Sequence, residues 1–277
     1  RWCSGSAVVD INNDGWLDLY VCATTLSPGE RRKNMLFVNQ GLNEDHLPVF
    51  RDMAQAYGIA DTSHTTSAAF FDYDNDGDLD LFLAVNNFDP RVHANAYQKE
   101  GDIRSTINAD KLFENSFDPE KGHAVFKDVS KEAGILTGGF SLGLNIVDIN
   151  RDGWKDIYVS NDYISRDLLL MNNGDKTFTN RANEYMKHNC YSAMGMNVAD
   201  LNTDALADIF VLNMLPEYNL RRKTMLQPND YSSYQNNERY GYPYQHVRNV
   251  LQLNQGFRPD NGALIFSDVS LYAQIHA

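Results

Sequence analysis

Short runs of alternating apolar and polar residues cover this chain, and each run stops at a cluster of Asp, Asn or Gly. A period of two predicts strands with one buried face, and the punctuating residues predict turns. The runs recur in a fixed order. A first strand leads in (SAVVD, SAAFFD, GLNIVD, GMNVAD) and a second leads out (LDLYVCA, LDLFLAV, KDIYVSN, ADIFVLN). A third ends in Asn (NMLFVNQG, KLFEN, LLLMNNG, NVLQLNQG), and a fourth centres on Phe (VFRDMA, VFKDVS, TFTNRA, IFSDVS). Four such groups make sixteen predicted strands.

Between the first and second strands lies a nine-residue loop, fullest in Asp72-Tyr73-Asp74-Asn75-Asp76-Gly77-Asp78-Leu79-Asp80. Carboxylates at positions one, three, five and nine converge if the backbone curls around a cation. Glycine at position six allows the turn that brings in the carbonyl of position seven. Hard oxygen donors in that number suit Ca²⁺ better than Mg²⁺, which demands stricter octahedral geometry. An EF-hand would carry helices on both sides and Glu at position twelve, where this chain has Leu83 between strand-like runs. The frame returns as Asp10, Asn12, Asp14, Trp16 and Asp18; as Asp148, Asn150, Asp152, Trp154 and Asp156; and as Asp200, Asn202, Asp204, Leu206 and Asp208. Trp16, Asp78, Trp154 and Leu206 hold position seven, where the main chain is the ligand. Up to four Ca²⁺ sites follow. The last is expected to be the weakest, because Ala205 replaces the glycine and a left-handed non-glycine residue costs about 1–2 kcal/mol.

Repeated four-stranded antiparallel units predict an all-β fold, a β-propeller of four-stranded antiparallel blades. The blades fall at about 5–53, 67–129, 141–182 and 193–270, with insertions at 86–110 and 214–247. The DxDxDGxxD hairpins, the NNGD turn and the F-x-D-V-S strands resemble the FG-GAP/VCBS repeats of integrin-α-like propellers. SNDYISRDLLLMNNGDKTF and VLNMLPE most resemble the ASPIC/UnbV-associated, cartilage acidic protein 1-like members. The resemblance implies metal ligands at positions one, three, five, seven and nine. It also implies about seven blades, so the four visible ones are expected to be part of a larger propeller.

The formal net charge of −13 equals in size the number of aspartates at the side-chain ligand positions one, three, five and nine. The acidity is therefore metal chemistry, and nucleic acid is not an expected partner. No apolar run approaches the ~20 residues of a membrane helix, so this segment is not expected to insert into a membrane. Cys3, Cys22 and Cys190 are too few for a disulfide framework and read as free buried thiols. Loops with dissociation constants of about 10⁻⁴–10⁻³ M fill only where calcium is plentiful, which points to an extracellular, periplasmic or cell-surface location. No N-x-S/T sequon occurs, which favours a bacterial source.

Both long insertions join second to third strands, at the sheet end opposite the loops. The 214–247 insertion gathers Tyr218, Tyr231, Tyr234, Tyr240, Tyr242 and Tyr244 with Arg221, Arg222 and Arg239. Tyr and Arg dominate binding hot spots, so Tyr231, Tyr234, Tyr240, Tyr242, Tyr244 and Arg239 are candidates to bind a glycan or protein partner at a cell surface. The alternative is that they cap the sheets. The histidines, including His64, His93, His188, His246 and His276, form no catalytic motif. The expected function is a calcium-stabilised binding or adhesion module. The alternatives are a polysaccharide-acting enzyme or accessory domain, and a structural subunit of a surface assembly.

Overall fold

A computed structural model of the chain describes residues 2–86, 97, 109–216, 218–224 and 231–275, apart from the side chain of Arg222. The described residues form two compact units, one of Arg1–Asp89, Ile103–Gly138 and Gly174–Thr177, the other of Pro90–Asp102, Gly139–Asn173 and Phe178–Ala277. In the first unit, β1 (Trp2–Val9), β2 (Asp18–Thr24), β3 (Met35–Leu42) and β4 (Pro48–Asp52) form one sheet in chain order. β5 (Thr65–Phe71), β6 (Asp80–Val85), β7 (Lys111–Asp118) and β8 (His123–Asp128) form a second.

The other unit repeats the plan with β9 (Ser141–Val147), β10 (Asp156–Asn161), β11 (Leu168–Asn172) and β12 (Phe178–Asn180). Its second sheet holds β14 (Ala193–Ala199), β15 (Asp208–Asn213), β17 (Val250–Phe257) and β18 (Leu264–Asp268). All pairings within these sheets are antiparallel. Four antiparallel four-stranded meanders in an all-β chain are the blades of a β-propeller.

Alternation holds over most of β2, but every residue of β6, β10 and β11 is buried, so these strands are covered on both faces where the sequence predicted one. In the first unit Tyr20, Leu36 and Val38 pack with Leu81, Leu83, Phe113 and Phe126. In the second, Tyr158, Leu169 and Met171 pack with Ile209, Val211, Val250 and Phe266. The residue five places before each loop is small (Gly5, Ser67, Gly143, Gly195), and close approach of first strands explains Gly5 and Gly143, while Gly195 has open space around it. A Cβ on Gly5 would lie 2.4 Å from the Thr66 carbonyl oxygen, and one on Gly143 would lie 2.6 Å from Met196 Cγ.

The Phe-centred strands end in an Asx turn. Asp52 Oδ1 accepts the Ala54 N–H at 3.2 Å, Asp128 Oδ1 that of Ser130 at 3.0 Å, and Asn180 Oδ1 that of Ala182 at 3.1 Å. One-turn helices α1 (Ala54–Tyr57) and α2 (Ala182–Tyr185) follow two of these turns.

Three expectations change. The 214–247 insertion is more than a loop: it holds α3 (Asn219–Thr224), α4 (Tyr231–Tyr240) and β16 (Tyr244–His246). β16 pairs in parallel with β13 (His188–Cys190), so eighteen strands are described where sixteen were predicted. Three residues of parallel pairing between distant segments have no local period to announce them. Lastly, Cys22 and Cys190 are free and buried, but free Cys3 is exposed. It lies on the outer, solvent-facing part of β1, where Cys3 pairs with Ala23 and Gly5 with Cys22. Most of the 86–110 insertion, including His93, lies outside the described residues, as do 225–230 and His276.

Gly5→Val should destabilise the chain by about 1–3 kcal/mol in urea titration, because no rotamer moves a Cβ away from a backbone carbonyl. Unchanged stability would mean that β1 and β5 do not approach as described.

Candidate metal centre

Each loop between first and second strands is closed by the same hydrogen bonds. Position one accepts two N–H groups across the turn. Asp14 and Gly15 donate to Asp10 at 3.1 and 2.9 Å, and Asp76 and Gly77 donate to Asp72 at 3.2 and 3.0 Å. Asp152 and Gly153 donate to Asp148 at 3.1 and 2.9 Å, and Asp204 and Ala205 donate to Asp200 at 3.2 and 2.9 Å. Position five accepts the N–H of position seven: Trp16 to Asp14 at 2.8 Å, Asp78 to Asp76 at 3.1 Å, Trp154 to Asp152 at 2.9 Å and Leu206 to Asp204 at 2.8 Å.

Positive φ angles make these contacts possible. Gly15, Gly77 and Gly153 sit at +87°, +95° and +92°, and Ala205 at +65°. Position four is left-handed too, in Asn13, Asn75, Arg151 and Thr203, which the sequence reading missed. Asn adopts that region readily, whereas β-branched Thr does not. The fourth loop therefore carries two strained residues while keeping the same hydrogen bonds.

Position nine is buried in all four copies. One oxygen of Asp18, Asp80, Asp156 or Asp208 accepts the N–H of position two (Ile11, Tyr73, Ile149, Leu201) at 3.0–3.1 Å. The other accepts the N–H of the third-strand Asn, from Asn39 at 2.7 Å, Asn115 at 2.8 Å, Asn172 at 2.8 Å and Asn254 at 2.9 Å. The side chain explains the recurring Asn: Nδ2 of Asn39, Asn115 and Asn172 donates to the position-eight carbonyls of Leu17, Leu79 and Lys155 at 3.4, 3.0 and 3.3 Å. Burial nevertheless pushes the carboxyls of Asp80 and Asp156 up to about 7, against the lowering effect of their N–H donors. Asp18 is raised for the same reason.

The second loop, the one with Asp at position three, brings three carboxylates together. Oxygens of Asp72, Asp74 and Asp80 lie within 4.8 Å of one another, the spread expected of atoms about 2.3–2.6 Å from one hard cation. Asp78 Oδ1 is buried with no hydrogen-bond donor among the described residues. Burial first, then the neighbouring Asp76, Asp74 and Asp72 charges, raises the Asp78 carboxyl to about 6. Carboxylate oxygens accept more than one partner, so those already taking an N–H can still face a cation. The donors present fit a hard divalent ion.

At the other sheet end the insertion is anchored, not loose. Gln245 Nε2 donates to the carbonyls of Ile164 and Ser165, both at 3.2 Å, and the Arg166 guanidinium lies 4.2 Å from the Tyr242 ring centroid. Tyr97, in the second unit, stacks on Tyr240 at 5.0 Å and donates its hydroxyl to the Ser233 carbonyl at 3.0 Å. Tyr234 and Tyr244 stack at 5.3 Å. Tyr218 and Tyr231 are each 74% exposed, while Tyr234, Tyr240 and Tyr244 are exposed and Tyr242 is half-buried. Arg239 is exposed on α4. The tyrosines thus divide into an anchoring set around Tyr97 and Tyr242 and an outward set.

Two of the histidines are tied to neighbouring strands and turns. His64 Nδ1 accepts the Thr25 N–H at 3.0 Å. His188 Nε2 meets Asp268 at 2.8 Å, where Arg248 also pairs. Burial alone would raise the Asp268 carboxyl, but the Ser270 donors, Arg248 and His188 hold it at about 2.

Propeller blades with a carboxylate-lined turn between their first two strands define the class of protein. Within it, the FG-GAP-like repeat family matches residues 10–83 and 122–211, more than half the chain, and the chain belongs to that family. Such repeats are typical of extracellular proteins. No curated protein matches the chain. Among the described residues no helix is long and apolar enough to cross a membrane.

Asp156→Ala strands two buried N–H donors, of Ile149 and Asn172, and should cost about 2–4 kcal/mol. Because the loss involves hydrogen bonds, urea titration should show most of it in EDTA as well as in calcium. A cost that vanishes in EDTA would make Asp156 a metal ligand only.

Proposed function

We propose that this chain is a calcium-stabilised binding module of the cell exterior. Its four loops hold Ca²⁺ at one sheet end, and its insertions recognise a glycan or protein at the other. The observation that carries the reading is the separation of the two chemistries. Carboxylate loops join first to second strands, while the exposed Tyr218, Tyr231 and Tyr234 stand on the connection between β15 and β17. Outward tyrosines offer flat apolar rings with a polar tip, which suit both sugar faces and protein hot spots. Calcium, when bound, supplies countercharge to the clustered carboxylates, and the chain's oxygens hold each hairpin in register. The closer resemblance to the ASPIC/UnbV-associated, cartilage acidic protein 1-like members, and a surface or periplasmic place in bacteria, belong to the same proposal.

One observation favours a structural role as a second reading. Val8 and Phe50 on the first sheet are exposed, whereas the corresponding face of the next sheet buries Leu81, Leu83 and Phe113. A sheet of the same kind would cover that face. Sedimentation velocity of the chain against its Val8→Lys variant tests this, with loss of self-association supporting it and unchanged behaviour opposing it.

EDTA should lower the melting temperature by about 10 °C or more, since four sites each ten-fold below ambient calcium contribute about 1.4 kcal/mol apiece. Asp76→Ala should reduce melting in calcium more than Asp204→Ala, and equal losses would remove the ranking. Replacing 218–240 by a short Gly-Ser linker, with Tyr244–His246 kept to pair with β13, should abolish binding on a glycan and matrix-protein panel. Calcium affinity should survive the replacement; retained panel binding would place recognition elsewhere.

A further inference from the structure

We infer that Lys176 is a built-in countercation that sets the calcium affinity of the second loop below what its five carboxylates would otherwise give. The inference rests on the calcium reading above and concerns one site only.

The second loop differs from the others in charge. It carries Asp72, Asp74, Asp76, Asp78 and Asp80, whereas each of the other loops has three aspartates. At position three the other loops use an amide, and that amide stabilises its neighbour's carboxylate by donating a hydrogen bond. Asn12 Nδ2 donates to Asp14 at 2.8 Å, Asn150 Nδ2 to Asp152 at 2.7 Å and Asn202 Nδ2 to Asp204 at 2.9 Å. Asp74 cannot donate, so attraction to Asp76 becomes repulsion.

Lys176 answers that difference. Its segment, Gly174–Thr177, clusters with the first unit. The ammonium lies 2.6 Å from Asp74 Oδ2 and 2.5 Å from Glu114 Oε1. The Asp74 side chain is only 2% exposed, so its outer oxygen is held in the fold with this cation beside it. Lys176 itself has φ +68°, a conformation that glycine or Asn would adopt more cheaply. A lysine at that position trades backbone strain for a charge placed on Asp74.

A fixed positive charge a few ångströms from a bound dication repels it. Asp74 must therefore either share its oxygens between lysine and calcium or release the lysine as calcium enters. In both cases removing the charge tightens the site, by about ten-fold at low salt and by less at 0.15 M.

The test is hydrogen exchange of the peptide spanning 72–80, followed across a calcium titration, with the peptide spanning 10–18 as internal reference. Lys176→Asn removes the charge and suits the left-handed backbone, while Lys176→Arg keeps the charge. Lys176→Asn should move the calcium midpoint of the 72–80 peptide about ten-fold lower and leave the 10–18 midpoint in place. Lys176→Arg should move neither, and adding Asp74→Asn to Lys176→Asn should return the midpoint towards the original. A 72–80 midpoint that stays or rises in Lys176→Asn overturns the inference while leaving calcium binding intact. Absence of calcium-dependent protection in both peptides overturns the calcium reading and this inference together.

Discussion

A buried aspartate that accepts two backbone N–H groups is the interaction on which each sheet depends. Asp18, Asp80, Asp156 and Asp208 begin second strands, and each reaches back into its own turn and sideways to the third strand. One side chain thereby sets both the curl of the loop and the register of the third strand. Buried unpaired N–H groups are costly, so the sheet cannot slip without exposing or orphaning them. The same burial makes the carboxylate charge expensive, as the raised Asp80 and Asp156 carboxyls show. A cation at the turn would relieve that cost, so folding and metal binding would share a single residue.

The opposite ends of the second strands use a matching device. Asn34, Asp110, Asp167 and Asn249 precede their third strands and accept the N–H of Ala23, Val85, Asn161 and Asn213 at 2.7–2.9 Å. Where the second strand carries Tyr, the hydroxyl joins in: Asn34 donates to Tyr20 at 3.0 Å, and Tyr158 donates to Asp167 at 2.9 Å. With both ends of each hairpin tied by side chains, the connections beyond them can lengthen without loosening the sheet. The large insertion between β15 and β17 leaves from such a tied end, and β16 and Gln245 fasten it again further along.

Charge is distributed by the same logic. Three loops temper their carboxylates with an internal amide, and the second does so with a lysine from another segment.

Most of the blade plan was legible because its determinants are local. Period-two alternation, turn residues and the spacing of aspartates each act within a few residues, so the strands, the order of each meander and the places of the Asp-rich turns could all be read directly. Even the third-strand Asn was visible as a pattern, though its purpose needed the position-eight carbonyl that its side chain reaches. Tertiary structure alone decided what depends on residues far apart meeting in space. It made helices of 219–224 and 231–240, whose composition lacks an apolar stripe, and it paired β13 with β16. It also sorted the tyrosines into anchors and outward rings and laid Lys176 on Asp74. Those contacts span tens of residues or more, and no short-range period encodes them.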